Sequence, residues 1–418
     1  MIASLEHAQQ LDDEDFLRPY RDKFFIPQVH RQEVVYLCGN SLGLQPKSVS
    51  AHLQEELDKW KNLAVLAHHE GKHPWMYYHK LFTAPLSKLV GAKEAEVVCM
   101  NQLTVNLNLL LVSFYRPNRK RFKVLMQNPE FPSDVYAVQQ QVKFHGFRPE
   151  EAIIEVSSRP HEHIIRTEDI LQCIDTYKDQ LALVMFSAVN YYSGQFFDIA
   201  AIAEKCCEHQ IVLGLDLAHA IGNVPLKLHE WKVDFATWCS YKYLNSGPGG
   251  VSGIFVHEYH HDKELPRFAG WWGNDENVRF LMQKEFRPMR GAEGWQQSNA
   301  PILSMAAHLA SLKIFEEAGM DNLRQKSIRL TGFAHFLLSQ IEDSHKNISV
   351  ITPSHPEERG CQLSLKIKTN GKEIFHRLMQ KNIICDWREP DVIRIAPVPL
   401  YNSFTDVWKF YEAIKQIL

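Results

Sequence analysis

The chain has 418 residues, a formal net charge of −3, 45% apolar and 23% charged residues, a balance that fits an ordered globular protein and not a disordered one. That length exceeds what one hydrophobic core usually serves, so more than one domain is expected. The charge excludes a strongly basic nucleic-acid binder, and the longest apolar stretch, Leu103–Tyr115, is broken by Asn106 and Asn108 and falls short of a membrane span.

In chain order, the first 45 residues read as a polar, irregular arm. The N-terminal stretch Met1-Ile-Ala-Ser-Leu-Glu-His lacks the basic start and apolar core of a secretory signal, and an acidic run follows at Asp12–Asp15. The eight cysteines form no C-x-x-C pair and lie mostly in apolar runs, which predicts reduced core thiols and a cytoplasmic protein. From residue 46 to 297 short apolar runs alternate with helical patterns. Strands are expected at Lys123–Gln127, Ala152–Val156, Leu181–Val189, Ile211–Asp216, Asp234–Ser240 and Gly250–His257, with helices between several of them, such as Asp198–His209. This alternation predicts an α/β domain on a mostly parallel sheet. The texture changes near Asn299. Helical patterns at Ile302–Ala318 and from Met320 to about Glu342 precede strands at Cys361–Ile367 and Val392–Ala396, predicting a smaller α+β domain over residues 298–418. No internal repeat or low-complexity tract is present.

Ligands on parallel sheets sit at the carboxyl ends of the strands, and two strands end on reactive groups. One runs into Ser240-Tyr241-Lys242 and a glycine-rich turn. A lysine there is costly to keep charged, and a neutral amine can condense with a carbonyl. Alone, this segment is equally well read as a surface turn. The other strand ends at Asp216. A carboxylate at that position can hold the pyridine nitrogen of pyridoxal phosphate (PLP) protonated, which makes the ring an electron sink. Together, Asp216 and Lys242 point to PLP. Thr104 opens a helical pattern suited to a phosphate, or to simple capping. Phe131-Pro132-Ser133-Asp134 follows a strand, with Phe131 placed to stack on the pyridine ring. Ser187 and His219 are further candidate contacts.

With these residues assembled, the sequence resembles the kynureninases, fold-type I PLP enzymes of the class V aminotransferase-like superfamily. The resemblance runs from about Leu11 to the C-terminus. It is carried by Gly39-Asn-Ser-Leu-Gly-Leu44, Glu55-Glu-Leu-Asp-Lys-Trp60, Leu103-Thr-Val-Asn106, Phe131-Pro-Ser-Asp134, Asp216-Leu-Ala-His-Ala220, Trp238-Cys-Ser-Tyr-Lys-Tyr-Leu-Asn245, Glu358-Arg-Gly-Cys-Gln-Leu363 and Ile393-Arg-Ile-Ala-Pro-Val-Pro-Leu-Tyr-Asn-Ser-Phe404. It implies a fold-type I PLP-dependent transferase fold. It also implies hydrolysis of L-kynurenine or 3-hydroxy-L-kynurenine to an anthranilate and L-alanine, in tryptophan catabolism and the kynurenine route to NAD. Lys242 would carry the cofactor and Asp216 would pair with its ring nitrogen, with His219 beside it. Leu103, Thr104 and Tyr241 would lie near the phosphate, and Tyr241 would join a proton relay. Phe131, Pro132, Ser133, Asp134 and Ser187 would complete the cofactor pocket. Trp271 and Asn299 would reach the site from a neighbouring subunit, implying a homodimer with shared sites. Arg394 would clamp the substrate α-carboxylate, a task suited to its fork of donors. Ser41, His68 and Asn299 would line the aromatic end of the substrate pocket, and the His68–Asn299 pairing would favour the 3-hydroxylated substrate. Two adjacent histidines, His68 and His69, and the pair Trp271-Trp272 are local departures from the family pattern.

Three other readings are weighed against this one. An aminotransferase or cysteine desulfurase shares the fold, and a desulfurase needs an exposed, activated cysteine. Cys361 holds a possible position for it but sits in a strand-like alternation. His257-Glu-Tyr-His-His261 matches H-E-x-x-H but closes a strand, with no clear third ligand following, so no metal is expected. A binding protein that has lost the chemistry would show damage at Lys242, Asp216 or Arg394, and all three are present.

Overall fold

The computed structural model describes residues 1–418. Its largest element is a seven-stranded sheet, in spatial order Val97–Cys99, Gly253–Val256, Phe235–Trp238, Val212–Asp216, Leu181–Ser187, Lys123–Asn128 and Ile153–Ser157. The last five are mutually parallel, and Gly253–Val256 runs against both its neighbours. Alternate residues enter different cores. Val184, Phe186, Leu213 and Leu215 pack into one, while Leu183, Met185, Phe235 and Ile254 pack into another. Both faces are therefore covered, which is why these strands read as continuous apolar runs. Helices Thr167–Tyr177 and Ile199–Glu208 contribute to the first core, and Leu103–Phe114 and Pro132–Phe144 to the second. Asp198 fixes the start of Ile199–Glu208 by accepting from the Ala201 N–H at 3.0 Å.

A second, antiparallel sheet has the order Ile348–Val350, Leu363–Ile367, Val392–Ile395, Asp386–Arg388. Its core takes residues from the later half of helix Met320–Ser344 and from helices Gly371–Gln380 and Phe404–Ile417. Helix Ile302–Ala318 behaves differently from the rest of the C-terminal region. Its Met305, Leu312 and Phe315 enter the core of the large sheet, which extends through Leu323, past the change of texture at 298.

The first 45 residues are more ordered than their polarity implies. Ser4 caps helix Leu5–Asp13. Strand Val35–Tyr36 pairs in parallel with Ile383–Ile384, and Ala8, Val35 and Leu37 enter the smaller core. The arm's polar residues meet partners far along the chain. Asp12 accepts from the Phe404 and Thr405 N–H groups at 2.6 and 3.1 Å, and buried Asp15 pairs with buried Lys326 at 2.7 Å. A local reading cannot see such contacts. The three-residue strands Val97–Cys99 and Asp386–Arg388 are likewise too short to show a period.

Candidate active site

The parallel strands bring their carboxyl ends together over one recess of about 450 Å³, its mouth included. Ser187 and Asp216 end neighbouring strands and lie in register. The adjacent strand Phe235–Trp238 leads into Tyr241 and Lys242. Leu103, Thr104, Phe131, Ser133, Ser187, Asp216, His219, Tyr241 and Lys242 all line this recess. Sequence reasoning thus assembled a set that the fold does bring together.

Lys242 Nζ lies 3.1 Å from His219 Nε2 and 5.7 Å from the centre of the Phe131 ring. Burial, then the positive charges of Lys242, Arg394 and Arg388, hold the His219 ring well below its usual value. A neutral ring can accept from the lysine at Nε2, and its buried Nδ1 has no partner. Burial and the neighbouring Cys239 push the Tyr241 phenol up, so it stays protonated and can donate. Gly43 holds the lysine turn from outside. Its N–H donates to the Tyr241 carbonyl at 2.8 Å, and an added Cβ would lie 2.3 Å from the Lys242 carbonyl oxygen.

Three carboxyl groups gather below this point. Asp216 accepts from the Ala218 N–H at 2.6 Å. Asp134, buried at the start of its helix, has no donor for either oxygen, and burial with the charges of Asp216 and Glu130 raises it well above the usual range. Glu130 is pushed up to about 8, mainly by burial and further by Asp216. Its hydrogen bonds from Ser187 Oγ and the Phe131 N–H, both 2.7 Å, act the other way. Sequence reasoning missed Glu130, although an acid inside the turn ahead of Phe131 was the available signal.

Thr104 and Ser133 each occupy the second position of a helix, and their hydroxyls meet at 2.7 Å. Neither helix has a side-chain cap, and Pro132 opens the second. Thr104 is therefore not a cap, and the Leu103, Thr104 and Val105 N–H groups of the first helix and the Ser133 N–H of the second remain available to an anion.

The remaining expected residues fall into two groups. Ser41 and Arg394 meet at Asp386, whose Oδ2 accepts from Ser41 Oγ at 2.8 Å and from Arg394 Nη2. Arg394 Nη1 donates to the Tyr191 carbonyl at 2.6 Å, and Tyr191 lines the recess. His68, Trp271 and Asn299 do not line it. His68 packs edge-on against Trp75, Trp271 is half-exposed with its indole N–H on the Arg279 carbonyl, and Asn299 is exposed.

His257 and His261 do not share a helix face, since only the 3-10 turn Glu258–His260 lies between them. His257 instead stacks on His229, with rings 5.0 Å apart and 6° from parallel, near buried Glu96. Parallel rings do not aim their in-plane lone pairs at one point. Glu96 already accepts from His229 Nδ1 and from the Lys93 and Glu258 N–H groups. Cys361 is fully buried, and burial pushes its thiol up to about 12, unlike the exposed, activated cysteine of a desulfurase.

A kynureninase from Myxococcus xanthus is 52% identical over 98% of this chain and 96% of its own length, and one from Flavobacterium psychrophilum is 51% identical over 99% and 98%. The chain belongs to the kynureninase family. A kynureninase from the animal Nematostella vectensis is 47% identical over 99% of the chain and 94% of its own, and the family model "Kynureninase C-terminal domain" matches residues 323–414. Among solved structures, the cysteine desulfurase CsdA from Escherichia coli covers 96% of the chain and 98% of its own with a TM-score of 0.77 at 13% identity. A cysteine desulfurase from Thermococcus onnurineus covers 92% and 94% with a TM-score of 0.76 at 16% identity. At such identities they establish the fold, the fold-type I architecture, and nothing of the chemistry. Kynureninases are PLP-dependent hydrolases, and the recess of this one fits the cofactor. It offers an amine held only by a neutral imidazole, a carboxylate at the adjacent strand end, an aromatic face and two uncapped helix N-termini.

Proposed function

We propose that the recess around Lys242 is the catalytic centre for hydrolysis of L-kynurenine and 3-hydroxy-L-kynurenine to an anthranilate and L-alanine. The observation that carries this is the convergence of Lys242, Asp216, Ser187 and Phe131 on one recess at the strand ends. Bound PLP supplies a protonated ring that accepts the electron pair left at the substrate Cα. Asp216 would hold the proton on the ring nitrogen, and Phe131 would offer its face to the ring. The Thr104 and Ser133 hydroxyls, with the helix N-termini they stand on, bind the phosphate. Lys242 Nζ would take the proton from Cα and return one there before alanine leaves, with neutral His219 as its hydrogen-bond partner. Arg394 holds the α-carboxylate. Water adds to the γ-carbonyl and the Cβ–Cγ bond breaks. Tyr241, kept protonated by burial, supplies a proton toward the alanyl Cβ.

The active form in this proposal is a homodimer in which Trp271 and Asn299 serve the partner's recess. Their exposure, and their absence from the lining of the recess in their own chain, support it. His68 and Asn299 then meet the aromatic ring of the substrate and favour its 3-hydroxyl form. Eight free thiols suit the cytoplasm, and no helix is long and apolar enough to cross a membrane.

The test is turnover of both substrates by PLP-loaded protein, with aromatic product and alanine quantified together. Equimolar release supports the proposal, and absence of cleavage of either substrate overturns it. Faster turnover of the 3-hydroxylated substrate, lost on His68→Ala, supports the specificity assignment. Equal rates overturn it.

A further inference from the structure

Arg394 is not the only guanidinium at the carboxylate clamp. Strand Asp386–Arg388 pairs antiparallel with Val392–Ile395, and Asp386 stands opposite Arg394 in register. Residues two apart on a strand share a face, so Arg388 projects on the same side as Asp386. Its Nη2 reaches Asp386 Oδ2 at 3.1 Å, the oxygen that also accepts from Arg394 Nη2 and Ser41 Oγ. Two guanidinium groups thus share one carboxylate oxygen, and one positive charge is left without a partner.

The hydrogen bonds show the same surplus. The Nε–H of Arg394 and the Nε–H of Arg388 are both buried and without a partner. Arg394 is almost fully buried, with Nη1 committed to the Tyr191 carbonyl and Nη2 to Asp386. A buried donor without a partner is unfavourable, and two of them beside an excess positive charge suit a bidentate anion. The clamp also faces the reactive centre. Tyr191, held by Arg394, lines the recess, and the charges of both arginines act on His219 there.

We propose that Arg388 is a second cation of the substrate-carboxylate site. It acts with Arg394, while Asp386 is the positioning residue that holds both guanidinium groups and links them to Ser41. This rests on the reading that Arg394 receives the α-carboxylate. One carboxylate brings the two arginines and Asp386 to charge balance and supplies two acceptor oxygens.

The experiment is equilibrium binding, by calorimetry on PLP-loaded protein, of two unreactive probes. One is the deaminated analogue of kynurenine, which keeps the aryl ketone and the carboxylate, and the other is its carboxamide. Wild-type protein should prefer the acid. Arg388→Gln should weaken the acid about tenfold and leave the amide unchanged, and Arg388→Lys should restore most of the preference. Kinetically, Arg388→Gln should raise KM for kynurenine by a similar factor with little change in kcat. An intact acid preference in Arg388→Gln, or equal weakening of both probes, overturns the inference. Arg394→Gln separates the two levels. If it keeps the acid preference, the carboxylate reading fails. If it loses the preference while Arg388→Gln keeps it, only the role of Arg388 fails.

Discussion

The recess around Lys242 and the set His68, Trp271 and Asn299 are built on opposite principles. The groups that line the recess in this chain stand on the strand ends of its large sheet or on the segments that directly follow them. Each of its reactive groups stands at, or a few residues beyond, the end of a strand whose side chains are buried on both faces. The second set lies on 3-10 turns and loops, exposed or half-exposed, and does not line the recess of its own chain. A densely packed sheet fixes reacting atoms to fractions of an ångström, while surface turns are free to take their geometry from whatever covers them. Under the proposed function, chemistry and selectivity would rest on different mechanical supports.

If the recess carries the chemistry alone, Lys242→Ala should lower kcat by about four orders of magnitude with fold and Tm little changed. A rate near wild type would break the comparison at once. Asp216→Ala should lower kcat by a hundredfold or more, because the ring nitrogen loses the charge that keeps it protonated. It should also shift the absorption of the bound cofactor, a readout that damage elsewhere in the fold would not move.

The second set is tested by mixing chains. Lys242→Ala and Trp271→Ala chains, co-expressed and purified as mixed dimers, should be more active than either parent. One recess then has its own lysine and the partner chain's tryptophan. Activity no higher than that of Trp271→Ala alone would mean that Trp271 serves its own chain, and the contrast between the two regions would vanish.

Legibility in the sequence follows the same division. The strands ending at Ser187 and Asp216, and the one leading to Lys242, announce themselves as apolar runs that stop at a polar residue, and the structure moves their limits by only a few residues. Glu130 was not visible in this way, because its role depends on Ser187, which is distant in sequence. Asp386 and Arg388 were hidden for a similar reason. Their strand is three residues long, and their meaning appears only opposite Arg394. The order in the arm arises from the Asp12, Asp15 and Val35 contacts with residues more than 300 positions away.

A smaller effect probes how tightly the recess is braced. The Cβ of alanine at position 43 would lie 2.1 Å from Asn245 Oδ1 and 2.3 Å from the Lys242 carbonyl oxygen. Part of that contact is backbone and cannot rotate away. Gly43→Ala should therefore cost about 1–3 kcal/mol of stability, seen as a lower Tm, and should reduce kcat by displacing the lysine turn. Unchanged Tm and kcat would show that the arm only rests against the turn.

A pH-dependent effect, absent near pH 5, concerns Glu130, whose folded-state value of about 8 lies above its ordinary 4.5. Below about pH 4.5 the carboxyl is neutral in folded and unfolded chains alike, and the folded form carries no penalty. Between there and about pH 8 the unfolded chain releases the proton while the folded chain keeps it. The unfolded state then binds fewer protons, so stability falls as pH rises. Above about 8 both states are ionised, and the penalty is constant at a few kcal/mol. Glu130→Gln keeps an acceptor for Ser187 and the Phe131 N–H but cannot ionise. In cofactor-free protein the variant should match wild type near pH 5 and exceed it in Tm by a widening margin up to pH 8. Parallel Tm curves for the two proteins would mean that Glu130 is solvated in the folded chain, and that the recess floor is less dry than its packing indicates.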